Sequence, residues 1–214
     1  MNADPAACGG NREGWSPPRP RITAATPPPP PLPEPRPVRV LGLDPGLSLT
    51  GYGCVAADPT SPAGGRLVEA GVLRLPSRRP LAERLQALET DLAQVLDDLA
   101  PAVVAVESVF HHGRNPRTAI MMAHARGVLL LGAARRGLEV VELPPATVKR
   151  AATGSGRADK AQVQAAVAAR LGLDGPPEPP DVADAIAIAF AAAARVLAPI
   201  PEPTVRDRSA RTRG

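Results

Sequence analysis

Four acidic residues stand at points where a carboxylate could take part in chemistry. Asp44 follows the apolar run VRVLGL and opens the turn Asp-Pro-Gly, and Glu107 ends the apolar run AVVAV. Asp181 and Asp184 are three residues apart at the start of the last predicted helix, so both lie on nearly one face of it. Carboxylate oxygens are the hard ligands that Mg²⁺ prefers. A buried, ionised Glu107 would also need a cation or a hydrogen-bond donor beside it.

Each of these acids has a structural interpretation as well. Asp-Pro-Gly is a common turn, which would explain Asp44 without any chemistry. Acids at a helix N-terminus are ordinary capping residues, and the helix dipole favours their negative charge, which would explain Asp181 and Asp184. For any one of these acids taken alone, both interpretations stay open.

The elements that must position the acids follow from the hydrophobic pattern. The predicted strands are 38–43, 50–57, 66–75, 102–107 and 138–143. The predicted helices are 81–99, 117–136, 146–152, 158–171 and 182–197. The order is β-β-β-α-β-α-β-α-α-α, which predicts an α/β protein whose first three strands form an antiparallel meander.

Length and composition predict one domain with two extensions. The chain has 214 residues, enough for one core of ordinary size. Residues 1–37 carry 12 of the 28 prolines, which predicts a disordered extension. Residues 199–214 are predicted to form a flexible basic tail. The domain between them is 38–198.

The distribution of charge indicates a face that could bind nucleic acid. The formal net charge of +4 comes from the two extensions, because residues 38–205 hold 17 basic and 17 acidic side chains. Residues 108–170 hold ten Lys or Arg against three acids. A basic face is therefore predicted within the domain.

Several classes of protein are not indicated. No apolar run reaches the roughly 18 to 20 residues of a membrane span, and no signal-peptide core is visible, so a cytoplasmic protein is expected. Cys8 and Cys54 lie in contexts too different for a disulfide framework. His111, His112 and His124 lack zinc-ligand spacing with Cys54.

One predicted helix is more apolar than packing on a sheet requires. Residues 119–134 are apolar around most of the helix, which predicts a subunit interface that a charge at Leu130 would disrupt. Tyr52, Cys54 and Phe190 are assigned to the core.

Taken in order, the motifs of this chain resemble a known family, the RuvC-type Holliday junction resolvases, or crossover junction endodeoxyribonucleases, of the RNase H-like superfamily. The resemblance covers residues 38–198 and is carried by LGLDPGLSLTGYG, VVAVESVF, TAIMMAHARGVLLLGA, PATVKRAATGSGRADKAQV and PPDVADAIAIA. It implies an RNase H-like five-stranded mixed sheet flanked by helices. The Pro-rich extension departs from the family, which usually begins close to Val38.

The resemblance implies that Asp44, Glu107, Asp181 and Asp184 are catalytic and bind metal, although some relatives have a His at the position of Asp181. Two Mg²⁺ ions, for which Mn²⁺ could substitute, would lie about 4 Å apart, activate water and stabilise the leaving oxygen. The implied reaction is hydrolysis of a DNA phosphodiester that leaves a 5′ phosphate and a 3′ hydroxyl.

The resemblance also implies contacts to DNA. Phe110 would stack on a base at the junction centre, although its position alone favours burial under its loop. Lys149 and Lys160 match positions that contact the DNA backbone. Further candidates for phosphate contacts are Arg114, Arg117, Arg150 and Arg157.

By resemblance, the function is paired nicking of four-way junctions by a homodimer, in recombination and DNA repair. The resemblance also implies branch-migration proteins as partners and a location in the bacterial cytoplasm, at the nucleoid. Two alternatives remain at this point. One is a module that binds branched DNA without cutting it. The other is an actin-like ATP-binding protein whose phosphate loop would be 44–51, although 214 residues leave no room for the second half that such proteins need.

Overall fold

The computed structural model of the protein describes residues 37–46, 48–61, 63–76, 78–108 and 116–198, with the side chains of 116–118 left out. Five strands form one sheet in the order β3-β2-β1-β4-β5. They are β1 (Val38–Asp44), β2 (Leu49–Ala57), β3 (Gly65–Arg74), β4 (Val103–Glu107) and β5 (Glu139–Leu143).

The sheet is mixed, as predicted. β1 pairs antiparallel with β2, and β2 with β3, because short turns join these strands. β4 lies parallel to β1 and β5 parallel to β4, and a helix precedes each of β4 and β5 and returns the chain across the sheet. The predicted order of elements and the antiparallel meander are both confirmed.

Five helices flank the sheet, and their ends lie within two residues of the predicted ones. They are α1 (Leu81–Leu99), α2 (Pro116–Arg135), α3 (Pro145–Thr153), α4 (Lys160–Leu171) and α5 (Pro180–Leu197). None of the helices in the described part of the chain is long and apolar enough to cross a membrane.

The sheet separates two apolar cores. On one face, Leu41, Leu43, Val104 and Val106 pack with the buried residues of α1 and α2. On the other face, the alternate strand residues pack with α3, α4 and α5, the last of which is buried along most of its length. The side chains of Asp44 and Glu107 belong to this second face, because they continue the alternation of β1 and β4.

The three residues assigned to the core are all at least partly buried. Cys54 and Phe190 are buried in opposite cores, as predicted. Tyr52 is only partly buried: it packs against the α1–α2 core, and its hydroxyl donates to Glu69 Oε1 at 2.8 Å. A phenol can satisfy its polar end in this way while burying its apolar body.

Two glycines allow α5 to lie directly on the strands. A Cβ on Gly42 would stand 2.2 Å from the carbonyl oxygen of Ala185, and one on Gly51 would stand 2.0 Å from that of Asp181. No side chain could fit in either place. The first turns of α5 are therefore held against the ends of β1 and β2.

The second helix has the apolar excess that its sequence predicts. Ala125, Leu129 and Ala133 are buried against the sheet, and Leu130 is partly buried against the same core. Other large apolar side chains of α2 face outward; Ile120 is 58% exposed, Met122 37% and Leu131 50%. Leu131 is therefore a better probe of an interface than Leu130, whose substitution would also disturb the core.

Candidate active site

The first two acids lie side by side because of the register of two parallel strands. Leu43 of β1 pairs with Val106 of β4, so the next residues along the strands are Asp44 and Glu107. Parallel strands end at the same edge of a sheet, and both acids lie at that edge on the face covered by α5. This geometry agrees with the prediction that neighbouring strand ends bring the two carboxylates together.

The other two acids reach the same edge from the start of α5. Asp44 pairs with Gly51 across β1 and β2, and Gly51 is where the backbone of Asp181 rests. The Asp181 carboxylate lies over the Asp-Pro-Gly turn, since a Cβ on Gly46 would be 3.5 Å from its Oδ1. Asp184 follows on the same helix, almost one turn further along.

A cleft of about 300 Å³ opens between β1, β4 and the last three helices. Its lining residues are Asp44, Glu107, Val148, Lys149, Lys160, Val163, Asp184 and Ala187. Every charged residue in this lining was named from the sequence, and Asp181 flanks the cleft through its interaction with Asp44. The four acids and the two lysines therefore belong to one site.

The electrostatics of Asp44 show how closely the acids converge. The pKa of Asp44 is raised from 3.8 to about 7, first by burial and then by the negative charges of Asp184, Asp181 and Glu107, against a smaller lowering by Lys160. Like charges that share a low-dielectric region disfavour ionisation in this way. A cation in the cleft would reverse the effect.

The pKa of Glu107 is shifted in the same direction for similar reasons. Burial raises it first, the charge of Asp184 raises it further, and the nearby ammonium of Lys149 lowers it. Strongly perturbed carboxyl groups in a cleft are typical of functional sites. The expectation that Glu107 needs a cation beside it is met in part by this lysine.

One ion pair in the cleft was not foreseen from the sequence. The ammonium of Lys160 donates to Asp184 Oδ2 at 2.7 Å, and this hydrogen bond is the main cause that raises the pKa of Lys160. The pair joins the first residue of α4 to α5 across a gap of 24 positions in the sequence, so no local pattern signals it. It changes the role expected of Lys160, which was a DNA contact alone.

Both lysines are distinctive in another respect. Lys149 and Lys160 are the only lysines in the sequence, and every other residue in its count of Lys and Arg is an arginine. Lysine presents a compact point charge, whereas arginine presents a planar fork. The cleft therefore contains all the primary amines that the side chains of this protein offer.

The donor set suits a hard divalent ion, but the side chains as placed do not yet surround one. Within the described ranges, no group of three or more His, Cys, Asp or Glu side chains is arranged to hold a metal ion. Asp184 is instead turned to Lys160. Carboxylate oxygens from Asp44, Glu107 and Asp181 fit Mg²⁺ by their chemistry, and Asp184 would have to change partners to join them.

Of the remaining candidates for DNA contacts, those whose side chains the structure describes do not line the cleft. Phe110 and Arg114 lie outside the described residues, and Arg117 is in α2 but its side chain is not described. Arg157 is exposed beside α4. Arg150 lines a separate, largely apolar cleft with Arg195. For these residues the predicted contacts stay predictions.

Comparison with known proteins identifies the family. A family model described as crossover junction endodeoxyribonuclease RuvC matches residues 40–192. The RuvC of Rhodopirellula baltica is 44% identical over 153 residues, which cover 71% of this chain and 83% of that protein. The RuvC of Leifsonia xyli is 49% identical over 153 residues, 72% of each chain.

Solved structures agree with the sequence relatives. Thermus thermophilus RuvC superimposes with a TM-score of 0.67 at 34% identity, over 74% of this chain and 96% of that one. The four acids and the two lysines all lie within the matched region 40–192. The chain belongs to the RuvC family of crossover junction endodeoxyribonucleases.

Proposed function

We propose that this protein is a structure-selective endonuclease that resolves four-way (Holliday) DNA junctions by paired, metal-dependent nicks. The observation that carries the proposal is the convergence of four acids from three separate segments on one cleft that also holds both lysines. A structure of T. thermophilus RuvC in complex with a Holliday junction substrate superimposes on this chain with a TM-score of 0.66 at 34% identity, over 72% of this chain and 92% of that one.

In the proposed reaction the acids hold Mg²⁺, or Mn²⁺ in its place. Asp44, Glu107, Asp181 and Asp184 would supply the carboxylate oxygens, and the bound metal would supply activation of water and stabilisation of the leaving oxygen. Hydrolysis would leave a 5′ phosphate and a 3′ hydroxyl. The pKa values of Asp44 and Glu107 are raised because burial and neighbouring carboxylates disfavour their negative charge, which a bound cation would stabilise.

The lysines are proposed to bind the DNA backbone at the mouth of the cleft. The side chain of Lys160 is 60% exposed, so its ammonium can reach a phosphate that enters from solvent. Lys149 lines the same cleft, close enough to Glu107 to lower its pKa. Two cations beside the acids would hold the scissile phosphate over them, and further contacts are proposed for Phe110, Arg114 and Arg117.

A homodimer is proposed because a four-way junction has two equivalent strands to cut. The outward-facing apolar residues of α2 offer a surface for a second copy. Such a surface is self-complementary under two-fold symmetry. Branch-migration proteins as partners and a bacterial cytoplasmic, nucleoid-associated location are proposed from the family resemblance.

Junction cleavage by the Asp44→Asn variant tests the function. Asn keeps the size of the side chain and removes the charge, so cleavage in Mg²⁺ should fall by about a hundredfold or more. Junction binding in Ca²⁺ should survive, because affinity comes mainly from basic contacts to phosphate. The outcome is read on denaturing gels for cutting and by gel shift for binding.

Asp174→Asn makes the same chemical change at an exposed loop position and should cut like the wild type. If wild-type protein binds four-way junctions and never cuts them in Mg²⁺ or Mn²⁺, the protein is a binding module and the proposal is wrong. Cleavage by Asp44→Asn at the wild-type rate would contradict the assignment of the acids.

A further inference from the structure

The Lys160–Asp184 ion pair lies at a fixed point in the site. Lys160 is the first residue of α4, and a capping box holds that helix end: Gln162 N–H donates to Asp159 Oδ1 at 2.8 Å, and Asp159 N–H donates to Gln162 Oε1 at 2.9 Å. Two reciprocal hydrogen bonds fix the backbone from which the lysine side chain extends. The fold therefore holds the backbone of Lys160 where its ammonium reaches Asp184.

The pair concerns an acid that the proposed reaction needs for another purpose. Asp184 lines the cleft beside Asp44 and Glu107, yet its Oδ2 accepts from an ammonium at 2.7 Å. A divalent ion on the same carboxylate would repel that ammonium at short range. One carboxylate therefore has two competing cationic partners.

The two side chains differ in their freedom to move. The Asp184 side chain is 25% exposed and its backbone is fixed in α5, whereas the Lys160 side chain is 60% exposed. A lysine that leaves the carboxylate can extend into solvent at little cost, because solvent-exposed ion pairs add little to stability. Lys160 is therefore the side chain that moves when the pair separates.

We propose that Lys160 competes with the metal ion for Asp184: its ammonium pairs with this carboxylate in the metal-free protein, and metal binding displaces it outward, where it becomes available to a DNA phosphate. The inference rests on the proposed function, because it takes the acids to be the metal site. It assigns Lys160 a positioning role beyond contact with DNA.

The exchange couples two binding events. A metal ion that takes Asp184 frees the ammonium for phosphate, and a phosphate that takes the ammonium frees Asp184 for metal. Linkage makes the effect equal in both directions, so metal and DNA strengthen each other's binding. Lys149 pairs with none of the carboxylates that the structure describes at ion-pair distance and lacks this role.

Amine labelling of the wild-type protein tests the displacement directly. The chain has two lysines, so acetylation by an N-hydroxysuccinimide ester followed by peptide mass spectrometry reports on each of them. Without DNA, saturating Mg²⁺ should raise the labelling rate of Lys160 by about two- to fivefold, the range expected for loss of an exposed ion pair. Lys149 is the internal control and should change less. In Asp184→Asn protein, Lys160 should label fast with or without Mg²⁺.

Affinity for Mn²⁺ in the absence of DNA gives a second readout by calorimetry. Lys160→Met removes the competitor and should bind Mn²⁺ about two- to fivefold more tightly than wild type. Lys149→Met removes one positive charge from the same cleft and should stay closer to wild type. A Lys160→Met affinity equal to or weaker than that of the wild type, or equal gains in both variants, would overturn the competition. Failure of all these proteins to bind Mn²⁺ would overturn the metal site itself, and with it the proposed function.

Discussion

At the scale of single residues, Asp44 shows what the site costs the fold. Its pKa is about 7 in the folded protein, first because it is buried and then because of Asp184, Asp181 and Glu107, against an ordinary value of 3.8. Between these two values an unfolded chain has lost the proton that the native protein keeps. Stability therefore falls as the pH rises through this window, and the loss is complete above about 7.

This argument predicts that Asp44→Asn is more stable than the wild type at pH 8 in the metal-free state. The gain should be at most about 4 kcal/mol, the free energy of a pKa shift of about three units. At pH 3 the two proteins should differ little, because Asp44 is then protonated in both states. Urea denaturation in EDTA at the two pH values measures the difference.

Asp174→Asn provides the matched control, since this exposed acid lies in the loop after α4. The pKa of Glu107 is also raised, so Asp44→Asn should reduce the pH dependence of stability without removing it. A variant that cuts nothing yet folds more stably would show that the carboxylate is kept for chemistry. Equal stability of wild type and Asp44→Asn at pH 8 would refute the electrostatic account.

At the scale of elements, the position of α5 decides whether the acids meet. Its backbone rests on Gly42 and Gly51, where strand side chains would otherwise stand between helix and sheet. Gly51 also pairs with Asp44, so the same residue sets the distance from Asp181 to the end of β1. The glycine serves the geometry of the site more than that of the strand, in which glycine is unfavourable.

Gly51→Ala should therefore lower both stability and activity. The new Cβ would lie 2.0 Å from the carbonyl oxygen of Asp181, so α5 must shift. Overpacking of this kind costs about 1 to 3 kcal/mol, and the displaced Asp181 should reduce cleavage even at temperatures where the variant is folded. Thermal denaturation and cleavage of a junction substrate measure the two effects.

Gly175→Ala is the control, because a Cβ there meets no atom within 4 Å and the backbone needs no left-handed conformation. It should melt and cut like the wild type. If Gly51→Ala matched this control in both measurements, the close approach of α5 would have no role in holding the acids.

The elements themselves could be predicted from sequence to within a few residues, because most have a clear hydrophobic pattern and Gly or Pro near at least one end. The strand-tip positions of Asp44 and Glu107 followed from the same pattern. The pairing of Lys160 with Asp184 could not, because it depends on the angle between α4 and α5. The outward orientation of Leu131 and the inward one of Leu130 also depend on how α2 lies on the sheet, which an all-round apolar helix does not reveal.

At the scale of the whole molecule, the sheet separates two surfaces with different chemistry. The acidic cleft lies on the face covered by α3, α4 and α5, and the apolar surface of α2 lies on the opposite face. Changes to one surface should leave the other intact, since they share no side chain. Dimerisation and chemistry can therefore be tested separately.

Leu131→Glu tests the proposed dimer. This side chain is 50% exposed on α2, so the charge costs little in the monomer, but in an apolar interface it would lie without a partner. We expect wild-type protein to sediment as a dimer at micromolar concentration and the variant as a monomer with an unchanged far-UV spectrum. Leu173→Glu, at a 46% exposed position after α4, should remain dimeric.

Because the acidic cleft is on the other face, the Leu131→Glu monomer should still nick one strand of a junction in Mg²⁺ and lose the pairing of nicks on opposed strands. A monomeric wild type that makes paired nicks would show that α2 is not the interface and that one copy is enough for resolution.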